Sequence, residues 1–202
     1  MSAFWDDKFA GHAHAYGTEP NAFLVSQRHR LERGMEVLAV ADGEGRNGVW
    51  LAQQGMRVTT VDGSAVGVQK ALKLALDRRV NIRAQVADLT DWRWPVSTFD
   101  AVVAVFIHFA PELRRDMHHA MYAALKPGGL LIMEGFHPAQ RDLGLTSGGP
   151  PVRDMLFDAE TLAADFQGMD ILELEEAAPH LDEGPLHQGE ARTTRLVARR
   201  PE

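Results

Sequence analysis

The sequence predicts an α/β protein whose mostly parallel sheet is covered by helices on both faces. Residues 36–62, EVLAVADGEGRNGVWLAQQGMRVTTVD, have the pattern of strand, glycine turn, helix, strand and acid. Residues 99–106, FDAVVAVF, are almost continuously apolar, as expected for a strand covered on both sides, and we place this strand at the centre of the sheet. Further strand and helix patterns follow in turn, which is typical of an α/β fold.

The 202 residues, 45% of them hydrophobic, suit one domain with a sizeable core. We expect residues 1–33 to form an N-terminal cap, or lid, and residues 35–202 the core. The absence of cysteine excludes disulfides and thiolate chemistry. The net charge of −7 argues against nucleic acid as a partner. No apolar run is long enough to cross a membrane and the first residues are unlike a signal peptide, so we expect a cytoplasmic protein without a membrane partner.

The glycine turn predicts a nucleoside site. The strand at 37–40 ends at Asp42-Gly-Glu-Gly45, a helix is predicted over 46–54, and a second strand over 56–61 ends at Asp62. A helix that begins after such a turn presents free N–H groups. The acid lies 17 positions beyond Gly45, at the end of the neighbouring strand, where it can accept bonds from ribose hydroxyls.

Charge decides between two nucleoside cofactors. Residues 43–48 also match the G-x-G-x-x-G pattern of dinucleotide enzymes. In those proteins the helix end faces a pyrophosphate, so the acids Asp42 and Glu44 would be unfavourable there. S-adenosylmethionine has no phosphate and carries a positive sulfonium, which nearby acids tolerate or favour. The pattern therefore favours S-adenosylmethionine.

At these residues the sequence resembles class I S-adenosylmethionine-dependent methyltransferases, and among them the tellurite-resistance type. The similar segments are VLAVADGEGRNGVWLAQQG with VTTVDGS, YGTEPNAFL, LKPGG leading into GLLIMEGF, and the EG…H-x-G element after residue 182. The resemblance implies a Rossmann-like, seven-stranded sheet with an antiparallel last strand. It also implies a small acceptor, such as a tellurite or selenium oxyanion or a small thiol. Ala39 stands where the family has a strand acid, and whether Asp42 replaces that acid is left open.

The candidate site consists of two groups of residues. The expected cofactor-binding residues are Asp42, Gly43, Gly45, Asn47, Asp62, Gly63, Ser64, Asp88, Leu89 and Phe106. The residues expected to shape the acceptor pocket, where catalysis takes place, are Tyr16, His108 and His187. A lone histidine such as His108 is more often structural. The acids and histidines at 180–187 lie in a predicted loop without a helical spacing of ligands, so we expect no metal site.

The remaining elements follow from periodicity and turn residues. Helices are predicted over 20–33, 64–79, 111–125 and 158–166, and strands over 81–86, 130–134, 170–176 and 193–199. Long loops are predicted over 136–152 and 179–189.

Two rival functions remain open. Residues 43–48 with Asp62 would also suit a nicotinamide-dependent oxidoreductase, and Ala39 would suit a non-catalytic protein that binds S-adenosylmethionine. The sequence does not constrain the oligomeric state.

Overall fold

A computed structural model describes residues 2–11 and 13–202, so Met1 and His12, both in the predicted cap, lie outside the described residues. The strands are β1 (Glu36–Val40), β2 (Arg57–Asp62), β3 (Arg83–Val86), β4 (Phe99–Val105), β5 (Leu125–Phe136), β6 (Asp170–Ala177), β7 (His180–Asp182), β8 (Gln188–Glu190) and β9 (Thr193–Arg199). The helices are α1 (Ser2–Phe9), α2 (Ala22–Ser26), α3 (Arg46–Gln53), α4 (Ala65–Asp77), α5 (Pro111–Ala124), α6 (Ala139–Asp142) and α7 (Ala159–Asp165), with short 3₁₀ helices at Gln27–Arg30 and Arg153–Met155.

Seven strands form one sheet in the order β3-β2-β1-β4-β5-β9-β6. Strands β1 to β5 pair in parallel, and β9 is inserted antiparallel between β5 and β6. This arrangement confirms the predicted fold class, including the antiparallel last strand. Strand β4 lies in the middle of the order, as its apolar sequence predicted.

Helices cover both faces because successive residues of the central strands point to opposite sides. Val102 packs into the cluster that contains Met121 of α5 and Leu162 of α7. Its neighbour Val103 packs into the cluster that contains Leu51 of α3, together with Phe23 and Leu24 of α2. Each face of β4 is therefore buried against helices, and the carboxyl ends of the parallel strands remain as the edge that can hold a site.

Three predicted boundaries are corrected. The helix predicted over 20–33 is only α2 and a 3₁₀ turn, because Asn21 rather than Pro20 caps it, accepting from the Leu24 N–H at 2.8 Å. Strand β5 begins at Leu125, five residues before the prediction. Its pairing with β4 shifts register between Phe99 and Ala101, so the K-P-G-G segment is absorbed as an irregularity in the strand. The predicted loop at 179–189 contains the antiparallel β7–β8 pair.

Among residues 2–11 and 13–202, no helix is long and apolar enough to cross a membrane.

Candidate functional site

The glycine turn lies where β1 ends. Gly43 has φ 55° and Gly45 has φ 89°, conformations that favour glycine. A Cβ on Gly45 would stand 2.5 Å from the Cβ of Ala71 in α4. The turn is thus pressed against α4, and glycine is required at this position by both backbone conformation and space.

Asp62 closes β2 beside this turn. Its Oδ2 accepts the Gly43 N–H at 2.8 Å and its Oδ1 accepts the Ser64 N–H at 2.8 Å. Burial raises the pKa of Asp62, and these two backbone donors partly oppose that rise. Each oxygen keeps a second lone pair for a ligand hydroxyl. A Cβ on Gly63 would meet nothing closer than the Ala87 oxygen at 3.9 Å, so the gap between β2 and β3 is open next to the acid.

Asp42 turns toward the N-terminus of α3. Its Oδ2 accepts the Gly48 N–H at 3.0 Å, and a Cβ on Gly48 would lie 2.4 Å from that oxygen. Burial raises the pKa of Asp42 to about 7, the Gly48 bond opposes the rise, and the charge of Asp62 adds to it. The helix end that would receive a pyrophosphate in a dinucleotide site therefore already holds a carboxylate of the chain itself.

The other predicted cofactor residues lie at the same edge with varied surroundings. Ser64 caps α4 by accepting the Gly67 N–H at 3.0 Å, and Asn47 Oδ1 accepts the Asn21 N–H at 2.9 Å. Asp88 is exposed, and its Oδ1 accepts from Thr90, which lowers its pKa. Leu89 is buried next to it. The structure brings these residues together at the edge, but their roles stay predictions.

The N-terminal segment lies over the turn. The Phe9 ring would be 3.2 Å from a Cβ on Gly43. Asp6 Oδ1 accepts the Ser64 hydroxyl at 2.6 Å. Glu44 accepts the Ala15 N–H at 2.7 Å and pairs with Lys70 of α4 at 2.7 Å. These contacts place the predicted cap directly above the candidate cofactor site.

Four rings form what we call the aromatic cluster: Tyr16, Phe106, Phe136 and His187. Ring centroids are 4.4 Å apart for Tyr16 and His187, 4.6 Å for His187 and Phe106, and 4.7 Å for Phe106 and Phe136. Phe106 has φ 55° just after β4, which turns its ring into the cluster. The cluster joins the cap, the end of β4, the end of β5 and the loop after β7, so two of the three predicted pocket residues meet here.

The two predicted pocket histidines differ in their surroundings. His108 Nε2 accepts the Phe136 N–H at 2.9 Å, and its ring stacks on Phe157 at 5.1 Å. Burial lowers the pKa of His108 to about 4. His187 is 5% exposed, and burial, reinforced by the positive charges of Arg46 and Lys8, lowers its pKa to about 3. Both rings are uncharged at neutral pH, and His108 already uses Nε2 in the fold.

A buried polar network borders the aromatic cluster, and its members were not predicted as site residues. The network consists of Asn21, Arg46, Glu134, Glu183 and Arg195. Asn21 donates to Glu134 at 2.7 Å and to Glu183 at 3.1 Å, and Arg195 donates to Glu134 at 2.7 Å. Arg46 and Glu183 form an ion pair at 2.7 Å, although its alignment falls short of a hydrogen bond. Four of the five lie in segments that carry the family resemblance, and that resemblance is the signal in the sequence that could have identified them as site residues.

In residues 2–11 and 13–202, no group of three or more histidine or acidic side chains is placed to hold a metal ion.

Comparisons with known proteins find similarity to methyltransferases. A family model described as "Methyltransferase domain" matches residues 37–129. A glycine/sarcosine N-methyltransferase of Aphanothece halophytica is 31% identical over 139 residues, which cover 64% of this chain and 50% of that protein. The chain therefore spans about half the length of the curated relatives it matches.

Solved structures share the fold. One described as "Conversion of a Disulfide Bond into a Thioacetal Group during Echinomycin Biosynthesis" aligns with a TM-score of 0.80 at 18% identity, over 100% of this chain and 92% of that one. The N-methyltransferase NodS of Bradyrhizobium japonicum, in complex with S-adenosyl-L-homocysteine, aligns with a TM-score of 0.72 at 17% identity, over 100% and 98%. Residues 37–129 thus match a methyltransferase domain by sequence, and the whole chain has the fold of solved structures that include an N-methyltransferase bound to S-adenosyl-L-homocysteine.

Proposed function

We propose that the chain is an S-adenosylmethionine-dependent methyltransferase that acts on a small-molecule acceptor, and that residues 1–202 form a single domain in which residues 1–33 cap a core of residues 35–202. One observation carries the proposal: Asp42 caps α3 at 3.0 Å, while Asp62 stands at the tip of β2 beside Gly43. At this edge of the sheet one acid is available to bond ribose hydroxyls. The start of α3 is already bonded to another acid and is not free to bind a phosphate. This edge suits a nucleoside without phosphates.

The residues present fit the cofactor. Asp62 would hold the ribose through its remaining lone pairs, Asp88 and Leu89 would border the adenine, and Gly43 and Gly45 allow close approach of the backbone. When bound, S-adenosylmethionine supplies an electrophilic methyl group on a positive sulfonium. The neutral His108 and His187 impose no positive charge of their own near that cation.

Positioning is the main task of the chain in this reaction. Holding an acceptor in line with a methyl group can supply effective molarities of roughly 10⁵ to 10⁸ M. The aromatic cluster would form the acceptor's wall, and Tyr16 brings the cap into that wall through its contact with His187. The depressed pKa of His187 makes it a weak base, so we expect the acceptor's own nucleophilicity to provide most of the reactivity.

The acceptor class is the finer part of the proposal. The resemblance in sequence favours tellurite or selenium oxyanions and small thiols. The relative from Aphanothece halophytica has glycine and sarcosine in its name, which are amine nucleophiles. All of these acceptors are small.

Titration calorimetry with S-adenosylhomocysteine, and in parallel with NADH, tests the cofactor. We expect micromolar binding of S-adenosylhomocysteine alone. Asp62→Ala should weaken that binding at least tenfold, because a bond to a charged acceptor is worth roughly 1.5–3 kcal/mol. The exposed Asp91→Ala is the matched control and should bind as the native protein does. Equal binding by the Asp62 and Asp91 variants would contradict the assigned ribose contact.

The two rival functions give different results in the same experiments. A nicotinamide-dependent oxidoreductase would bind NADH, although the acid at the start of α3 disfavours a pyrophosphate there. A non-catalytic binding protein would take S-adenosylhomocysteine yet give no methyl transfer to selenite, tellurite, thiols or small amines. Transfer to any of these acceptors, followed with a labelled methyl group, excludes the second rival.

A further inference from the structure

Two buried polar groups beside the aromatic cluster have unused nitrogens. Arg46 is 7% exposed and its Nη1 has no hydrogen-bond partner among the described residues. His187 is 5% exposed, and its Nδ1 likewise finds no partner within the described part of the chain. Buried polar side-chain atoms in proteins are nearly always bonded to protein, water or ligand. These two nitrogens therefore indicate a place for a ligand group with acceptor atoms.

The two groups belong to one region of the site. Arg46 pairs with Glu183 at 2.7 Å, and the Glu183 N–H donates to the His187 carbonyl oxygen at 2.9 Å. Arg46 begins α3 directly after the glycine turn, and His187 lies in the aromatic cluster between Tyr16 and Phe106. A ligand between them would lie at the ends of β1 and β4, at the same edge of the sheet as the candidate cofactor site.

The acid that pairs with Arg46 is shared with other groups. Among the described residues Arg46 forms one ion pair, with Glu183, which it meets through Nη2 at 2.7 Å, and its charge also lowers the pKa of Asp42. Glu183 is shared, because its Oε1 also accepts from Asn21 at 3.1 Å and from the Ala22 N–H at 3.2 Å. Lys8 adds a second positive charge over the Tyr16 ring, 5.5 Å from its centroid. An incoming anion would meet a guanidinium with free donors, a geometry that suits planar oxyanions.

We propose that Arg46 Nη1 and His187 Nδ1 form an oxyanion subsite for the methyl acceptor. The acceptor would then be a small molecule that carries its nucleophilic atom close to a carboxylate, or an inorganic oxyanion whose oxygens take the carboxylate's place. The inference rests on the proposed function, because it concerns the acceptor of that same reaction. Since His187 is neutral, it would donate through an Nδ1–H while Arg46 supplies the charge.

The subsite orients the acceptor and is not consumed. The nucleophile's lone pair forms the bond to the methyl carbon, and the carbon–sulfur bond breaks with its electron pair going to sulfur. An amine or thiol nucleophile releases one proton to water, whereas the lone pair of tellurium or selenium attacks without releasing one. With the oxyanion held by Arg46 and His187, the nucleophile one or two bonds away is directed along a single line.

The test is calorimetric titration of the native protein saturated with S-adenosylhomocysteine. The probes are glycine, mercaptoacetate and selenite, and glycinamide, which has an amide in place of the carboxylate, is the match to glycine. We expect at least one of the three oxyanion probes to bind and glycinamide not to bind. Binding of glycine alone identifies a carboxylate amine, binding of mercaptoacetate a carboxylate thiol, and binding of selenite an inorganic oxyanion. Binding of none of the three, in protein that binds S-adenosylhomocysteine, overturns the subsite and leaves the proposed function intact.

Variants assign the contact to its residues. The double variant Arg46→Gln with Glu183→Gln removes both charges of the buried pair and leaves neither one isolated. We expect it to bind the successful probe at least tenfold more weakly, as loss of a charge-assisted bond predicts. The single variant Glu183→Gln keeps Arg46 and should bind that probe at least as tightly as the native protein. Equal probe binding by the double variant and by Glu183→Gln would refute the role of Arg46.

A second variant and a second ligand keep the outcome decisive. His187→Phe keeps a ring in the aromatic cluster but removes Nδ1, and should weaken probe binding about fivefold even if the double variant does not fold. S-adenosylhomocysteine affinity should change less than threefold in either variant. A tenfold loss in the double variant would mean that Arg46 holds the cofactor's own carboxylate, which overturns the inference. If the native protein fails to bind S-adenosylhomocysteine at all, the proposed function itself is wrong.

Discussion

Replacing Asp42 by asparagine should change how the stability of the protein depends on pH. Burial raises the pKa of Asp42 from an ordinary value near 3.8 to about 7. Between those two pH values Asp42 is therefore protonated in the folded state and ionised in the unfolded state. The free energy of unfolding falls as pH rises through this window. The whole shift corresponds to about 4 kcal/mol, and the part between pH 5.5 and pH 8.5 to about 2 kcal/mol.

Asparagine keeps an oxygen that can accept the Gly48 N–H but does not titrate. Urea unfolding of both proteins, followed by circular dichroism at pH 5.5, 7 and 8.5, measures the difference. Relative to the native protein, Asp42→Asn should gain about 2 kcal/mol over this range. His108 and His187 also have lowered pKa values, and they make the native protein more stable as pH rises toward 6.5. Their effect is common to both proteins and cancels in the difference. Parallel stability curves for native protein and variant would refute the buried, titrating Asp42.

Two further substitutions test the packing around the site. Gly45→Ala should lower the free energy of unfolding by roughly 2–4 kcal/mol, because it adds a clash with Ala71 to a positive φ. The control Gly189→Ala, with φ 104° but open space, should lower it by only about 1–2 kcal/mol. Equal losses in thermal or urea unfolding would contradict the close approach of Gly45 to Ala71. His108→Leu should lower the free energy of unfolding by roughly 1–3 kcal/mol, because the Phe136 N–H loses its acceptor. Its affinity for S-adenosylhomocysteine, measured by calorimetry, should stay within about threefold of the native value. A loss of affinity at unchanged stability would instead place His108 at the ligand.

The sequence predicted the fold well where hydrophobic pattern and turn chemistry agree. Strand β9 begins and ends at the predicted residues, and α3 differs from its prediction by one residue. Such segments have a run of apolar residues bounded by glycine or charged residues, which leaves few alternatives. The β7–β8 pair was missed because its strands have three residues each and contain one large apolar side chain, Leu181, which is too little to show a periodicity.

The candidate site was predictable in its cofactor half and only partly in its acceptor half. Asp62 follows from chain position alone, since an acid that ends the second parallel strand must lie beside the first glycine turn. Arg46 and Glu183 lie 137 positions apart and pair at 2.7 Å, a contact that depends on how the loop after β7 returns to the sheet. No local pattern specifies such a return. Sequence also left the direction of Asp42 open, and its partner, the Gly48 N–H, became visible only with the turn in place.

Residues 15–21 of the cap are held by polar contacts at both ends of this segment, and this has a consequence for ligand exchange. Glu44 holds Ala15 at one end, and Asn21 is bonded to Glu134 at the other. Between them, Gly184 has no room for a Cβ, which would stand 2.2 Å from the Gly17 nitrogen. Segments bound by a few polar contacts open more readily than a core strand does. We expect entry of the cofactor to require that these residues separate, so that release of Asn21 from Glu134 and of Tyr16 from His187 would couple opening of the cap to disassembly of the proposed acceptor pocket.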